Sequence, residues 1–338
     1  MINKIKLTIA IPTFNGANRI NSSINLLNKN KYLNNLNIKI IIIENPSSNT
    51  ININEYKTYS NLEYIKNSDQ IGLHGSWLKI LEICKNDTEW LMYLGDDDVI
   101  NIKANTFLSF LSLAESNNTN VVLSTEKVFS YGNKLISKTK LVDETKFNFS
   151  IINYKKYISF TKLSDNFSFI SSTIFKPNEN IFRKALENKK KINETDCLHY
   201  LTLFPYAYFE DLKIMIINNP KMISPIIRKN RSKYSKEEIV YINSFNINKN
   251  YYNLYVWLKC QKDLVKLYKN DKDLDTLVKI HRKVVLASFL SWIFNSRSKG
   301  LFYVSKLVFD SLRGIDEAKH ILKFLIQSCF SKIISFIK

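Results

Sequence analysis

Cysteine, glycine, proline and negative charge are all in short supply in this chain of 338 residues. Its four cysteines (Cys84, Cys197, Cys260 and Cys329) lie far apart, with no Cys-x-x-Cys pair. That spacing argues against a zinc site or a disulfide framework and makes a reducing cytosol the expected compartment. Glycine (7) and proline (6) give way to Asn, Lys, Ile and Tyr, and neither an internal repeat nor a low-complexity linker breaks the chain. No run approaches the roughly 18 apolar residues of a membrane span. The longest, Val284–Phe294, is interrupted by Ser288 and Ser291. The Leu7–Ile11 run before Pro12 is too short for a signal-peptide core. Acids number 30 against 49 Lys and Arg, a net charge of +19. Such a charge favours anionic partners (nucleotides, phospholipid headgroups or nucleic acid) without choosing among them.

At 45% hydrophobic and 23% charged residues the composition is globular, and the length allows one large domain or two. Lys6–Ile11 reads as a buried strand closed by the turn-rich Pro12-Thr13-Phe14-Asn15-Gly16, and Ala17–Lys29 sets Ile20, Ile24 and Leu27 at helical spacing. Ile38–Ile43 ends at Glu44-Asn45-Pro46, and Leu62–Ile65 ends at Asn67-Ser68-Asp69. A helix enters at Gly72 and Gly75, and the Trp90–Leu94 strand stops at Gly95. This alternation predicts an α/β fold with a mostly parallel sheet, its polar loops gathered along one edge. Further on, Tyr131-Gly132-Asn133 reads as a hairpin turn and Phe169–Phe175 as a strand. Helices are expected from Pro177 to about Lys190 and over Glu194–Ala207, and strands at Lys213–Ile217 and Met222–Ile227. Past about Ser232 the pattern is helical, basic and aromatic.

Chemistry in open α/β sheets collects past the carboxyl ends of the strands. There Gly95 is followed by Asp96, Asp97 and Asp98. Three adjacent carboxylates repel one another unless a positive charge sits among them. A divalent cation meets that need, because hard cations prefer carboxylate oxygen; the plainer alternative is a solvated acidic turn.

Four loops together carry a resemblance. Ile11-Pro12-Thr13-Phe14-Asn15, Ile43-Glu44-Asn45, Ile71-Gly72-Leu73-His74-Gly75-Ser76-Trp77 and Leu94-Gly95-Asp96-Asp97-Asp98 fall in the order and spacing of the family 2 glycosyltransferases with the GT-A fold. The likeness covers roughly residues 5–125, and 165–230 more loosely. Ser171-Ser172 and Leu198-His199-Tyr200 are similar to the abequosyltransferase-like branch of O-antigen and capsule transferases.

The resemblance implies a Rossmann-like GT-A nucleotide-diphospho-sugar transferase domain at residues 1–232, with a mixed, mostly parallel sheet, and a helical C-terminal region at 233–338. It implies metal-dependent, inverting transfer of a sugar from a nucleotide-sugar donor to a surface polysaccharide, lipopolysaccharide or lipid-linked acceptor. Pro12, Thr13, Phe14 and Asn15 would line the base. Glu44, where the family usually carries Asp, would accept from the base edge. Asp69, just before Gly72, would reach base or ribose, while His74 reads as a loop residue rather than a ligand. Asp96, Asp97 and Asp98 would hold Mn2+ or Mg2+ on the diphosphate, with a neighbouring acid (Asp96 or Asp97) on the ribose. The family pattern Asp-x-Asp-Asp puts Gly95 at its first Asp and makes Asp97 the main ligand; a direct Asp-x-Asp reading gives Asp96 and Asp98. Family members often supply the base as Glu-Asp opening a helix. Here Asp196, preceded by Glu194, is the first candidate and His199 the second, while Glu210-Asp211 comes too late and reads as a surface cap.

Residues 240–338 carry Trp257, Trp292 and an apolar run at Ile321–Ile337 containing Lys323 and Lys332. Two compatible roles follow: packing against the transferase core, and resting on an anionic bilayer at the cytoplasmic face of the inner membrane. The competing reading is an inactive GT-A-like scaffold that binds membrane or partner proteins through these helices. Nucleic-acid binding rests on charge alone and has no reading motif.

Overall fold

Strand β2 (Ile38–Asn45) shows how the sheet is built. Ile40 and Ile42 enter one apolar core and Ile41 and Ile43 the other, as a strand covered on both faces requires. The computed structural model describes residues 4–124, 148–155, 171, 173–192, 198–218, 222–225, 260, 263–268, 270–271 and 273–279.

Around β2 lie β1 (Ile5–Phe14), β3 (Leu62–Lys66) and β4 (Thr88–Tyr93), all parallel, in the order β3-β2-β1-β4. A further strand, β5 (Asp98–Ile100), stands outside this sheet. The sheet continues through β8 (Thr173–Phe175), β6 (Val121–Ser124), β9 (Lys213–Asn218) and β7 (Asn148–Asn153). Strands β7 and β8 run against the other six. Helices α1 (Ala17–Lys29) and α3 (Ala104–Ser116) cover one face through Ile20, Ile24, Phe107 and Leu111. On the other face, α2 (Gly72–Asp87), α4 (Glu179–Lys191) and α5 (Leu198–Phe209) bring Trp77, Leu81, Phe182, Leu201 and Phe204. The result is a three-layer α/β/α sandwich with a mixed, mostly parallel sheet.

Several details differ from the sequence reading. Pro12-Thr13-Phe14 is strand rather than turn, because Thr13 and Phe14 continue the ladder opposite Glu44 and Asn45. Proline is tolerated there because pairing with β4 ends at Ala10, so β1 is already an edge when it reaches Pro12. The turn proper is Asn15-Gly16, with Asn15 at a left-handed φ of 53°. Another difference is β5. The sequence pattern places the acids in a loop, yet Asp98 opens a strand that pairs antiparallel with β10 (Ile223–Pro225) in a separate ribbon. The strand expected at Met222–Ile227 therefore serves this ribbon and not the main sheet.

Helix α4 starts later than expected, at Glu179, where the Asn178 side chain accepts from Ile181 N at 2.9 Å and caps it. From the C-terminal region, Cys260, Leu264, Tyr268, Leu277 and Val278 join the core beneath α2, α4 and α5, and the Tyr268 ring lies 5.4 Å from that of Phe209. Tyr131-Gly132-Asn133, Trp257, Trp292 and Ile321–Ile337 lie outside the described residues.

Leu91 is wholly buried at the sheet centre, whereas Leu36 is 87% exposed. Leu91→Ala should therefore cost about 2–5 kcal/mol and Leu36→Ala less than about 0.5 kcal/mol, a contrast measurable by urea denaturation.

Candidate active site

The carboxyl ends of β1 through β4 meet on one edge, and the chains that follow β1 and β4 are joined there by a partly buried ion pair. Asp96 accepts from Arg19 at both oxygens, Oδ1 from Nε at 3.0 Å and Oδ2 from Nη2 at 2.7 Å. The Thr13 hydroxyl also donates to Oδ2 at 2.7 Å, and Arg19 Nη2 donates to Phe14 O at 3.0 Å. A fork of this kind fixes orientation as well as charge. Gly16 gives it room, since a methyl group at that position would collide with Thr13 Oγ1 and Asp96 Oδ2. Burial pushes the Asp96 carboxyl above the usual range, while Arg19 and Thr13 pull in the opposite direction. Ser23 completes the seam, its hydroxyl donating toward Asp96 O at 3.4 Å and Asp98 O at 3.3 Å.

The other two acids are arranged differently. Asp98 is buried and its Oδ2 accepts from Ser171 Oγ at 2.6 Å; Ser171 in turn accepts from Gly95 N at 2.8 Å. The turn closes through Asp98 N donating to Gly95 O at 2.9 Å. A β-carbon placed on Gly95 would stand 2.8 Å from Asp98 Oδ2 and 3.3 Å from Asp97 Oδ1. Both carboxylates thus converge on a cradle that any other residue would fill. Among the described residues there is no group of three His, Cys, Asp or Glu side chains disposed to hold a metal by themselves. Two carboxylates nevertheless suit a cation shared with substrate phosphates, the usual arrangement for Mg2+, so the residues fit the metal the resemblance implies.

The remaining sequence candidates spread across the same edge. Glu44 is fully buried, accepting from Ile51 N at 3.1 Å and from the Tyr64 hydroxyl. Burial, reinforced by Glu44, pushes the Tyr64 phenol upward and keeps it a donor. Asn45 links β2 to α2: its amide donates to Ser76 Oγ at 3.1 Å and Gly72 O at 3.4 Å, and its oxygen accepts from Asn67 Nδ2 at 3.1 Å and Ile71 N at 3.3 Å. Gly72 opens α2 at φ +65°, a backbone state that favours glycine. Asp69 is exposed and accepts only a local bond from Ser68 Oγ at 2.9 Å among the bonds described. His74 lies in α2 rather than in a loop, its Nδ1 accepting from Leu198 N at 3.3 Å. This brings the start of α5, with buried His199, to the site edge. Glu194 and Asp196 lie outside the described residues. Asp211 closes the far end of α5 at the opposite edge, where it accepts from Lys155 N at 3.0 Å and Asn153 Nδ2 at 3.2 Å.

Arg19, Ser23 and the bond from Ser171 to Asp98 did not emerge from sequence reasoning. One signal for Arg19 existed: a cation in the first turn of a helix opposes the macrodipole and calls for an acidic partner.

The profile of Glycosyl transferase family 2 matches residues 8–212, more than half of the chain. The chain belongs to that family. It is therefore a glycosyltransferase, and its α/β/α sandwich is the GT-A fold. Among solved structures it is similar to S. aureus TarS 1-349, at 13% identity and a TM-score of 0.50 over 95% of this chain and 78% of that one. It is also similar to that protein in complex with UDP-GlcNAc (12% identity, TM-score 0.46, 85% and 80% covered). A third is the mannosyltransferase PcManGT from Pyrobaculum calidifontis in complex with GDP-Man and Mn2+ (10% identity, TM-score 0.45, 98% and 87% covered). No curated protein sequence matches the chain.

Removing one member of this partly buried pair leaves the other without its partner. Arg19→Met should cost about 1–3 kcal/mol, and Asp96→Asn in the same chain should recover part of that loss. Equilibrium unfolding of the two single variants and the double variant checks it.

Proposed function

We propose that this glycosyltransferase moves a sugar from a nucleotide-sugar donor to a surface polysaccharide, lipopolysaccharide or lipid-linked acceptor, with Mn2+ or Mg2+ held by Asp97 and Asp98. The observation that carries this reading is the convergence of two carboxylates: Asp97 Oδ1 and Asp98 Oδ2 both come within 3.3 Å of the place a β-carbon on Gly95 would take, while the Asp96 carboxylate is turned to Arg19 and Thr13. Asp97 is the principal ligand in this assignment, and Asp98 assists from an orientation fixed by Ser171. A bound divalent cation would supply charge neutralisation at the departing diphosphate. Asp96 keeps a positioning role, bracing the base-side loop after β1 against the acid loop.

On the acceptor side, the start of α5 and the segment before it supply the base, with Asp196, Glu194 and His199 as candidates. The base must come within hydrogen-bond reach of the acceptor hydroxyl. Packing of Cys260, Leu264 and Tyr268 onto the core supports a C-terminal region, 233–338, built onto a transferase domain at 1–232. Its basic, aromatic character supports work at an anionic cytoplasmic membrane face. No helix among the described residues is long and apolar enough to cross a membrane.

A thermal-shift panel of UDP, GDP, CDP and ADP, with and without Mn2+, tests the site. One nucleotide should raise the melting temperature, and only with metal. Asp97→Ala should abolish that metal-dependent rise, while Asp96→Asn should keep it. A rise that survives in Asp97→Ala moves the metal elsewhere, and absence of any nucleotide response favours an inactive scaffold.

A further inference from the structure

Glu44 stands where a nucleobase contact is expected, yet it faces away from the open edge. Strand alternation explains why: Glu44 shares a face with Ile40 and Ile42, and Ile51 and Tyr56 cover that face. At zero exposure its carboxylate is closed to a ligand, and both oxygens accept from the protein, Oε1 from Ile51 N at 3.1 Å and Oε2 from the Tyr64 hydroxyl. Turning Glu44 outward would leave a backbone N–H and a phenol without their acceptor, which is costly in a dry setting.

We propose that Glu44 is a positioning residue for donor binding: it pins the loop at residues 46–51 against β3, and the polar side chains at 47–50 select the base. A second tie fixes the far side of this loop. The Tyr56 hydroxyl donates to Asn21 Oδ1, fastening the 3-10 turn Ile53–Tyr56 to α1. Within the loop, Ser47 Oγ donates to Asn49 O at 3.3 Å and holds its curvature. Ser48 and Thr50 are exposed between these ties, and Ser47 and Asn49 are half-buried. A short polar loop fastened on both sides is preorganised, so a base that pairs with it meets little ordering cost. This inference rests on the nucleotide-sugar reading above.

Isothermal titration of UDP, GDP, CDP and ADP in the presence of Mn2+ provides the test, applied to the wild type, Glu44→Gln, Tyr64→Phe, the double variant and Asn49→Ala. Glu44→Gln and Tyr64→Phe should each weaken the preferred nucleotide roughly tenfold, about the size of one charge-assisted hydrogen bond. The double variant should be no weaker than the worse single one, because both remove the same charge-assisted bond between Tyr64 and the Glu44 carboxylate, and the order of base preference should stay unchanged. Asn49→Ala, on the loop itself, should narrow the gap between the best and second-best base. The proposal is overturned if Glu44→Gln reorders the bases while Tyr64→Phe binds like the wild type, since that assigns the base contact to Glu44. It is also overturned if both variants melt earlier yet bind with unchanged affinity, which makes the bond structural only. If none of the four nucleotides binds the wild type, the nucleotide-sugar reading itself fails and takes this inference with it.

Discussion

A single ion pair bridges a gap that the sheet cannot close by itself. Strands β1 and β4 are paired only as far as Ala10 and Tyr93; β1 then runs on beside β2 to Phe14 before the chain turns into α1, while β4 leads into the acid loop. Arg19 crosses this divergence and grips Asp96 with two nitrogens. It also offsets one acid of the triplet, so the neighbouring carboxylates face a single like charge rather than two. The helix dipole would otherwise disfavour an arginine at the start of α1; the facing carboxylate turns that position into a favourable one. Gly16, Thr13 and Ser23 make sense only around this pair, as the space, the extra donor and the backbone tether it needs.

Much of the fold is legible in the sequence because burial on both sides of a parallel sheet produces unbroken apolar runs. Those at Ile40–Ile43 and Trp90–Leu94 announce themselves, and α1 follows directly from the spacing of Ile20, Ile24 and Leu27. Strand ends are less legible, since a ladder continues wherever a neighbour continues, whatever the side chains: Thr13, Phe14, Glu44 and Asn45 all belong to strands. The ribbon of β5 and β10, three residues each, is too short for any periodicity to declare.

The site divides in the same way. That its four polar loops would meet could be read from their order, because loops that follow parallel strands must share an edge. The division of labour inside it could not. Whether Asp96, Asp97 or Asp98 faces a ligand depends on where Arg19 and Ser171 reach, and these lie 77 and 73 residues from their partners. Glu44 teaches a related lesson. In a strand apolar on both faces, parity tells which neighbours a residue shares but not which of the two faces opens to ligand.

The ribbon bears on the order in which this protein can be made. Asp98 sits at the head of β5, and β5 is paired with residues 223–225; Ser171, which orients its carboxylate, also comes late in the chain. A nascent chain leaving the ribosome can assemble β1 through β4 with their helices from its first hundred or so residues, since those contacts are local to that half. The floor beneath the acids, however, is delivered more than a hundred residues later. The loops after β1, β2 and β3 and the acid loop after β4 therefore mature at different times, and the acid cluster gains its final shape only once the sheet around it is nearly complete.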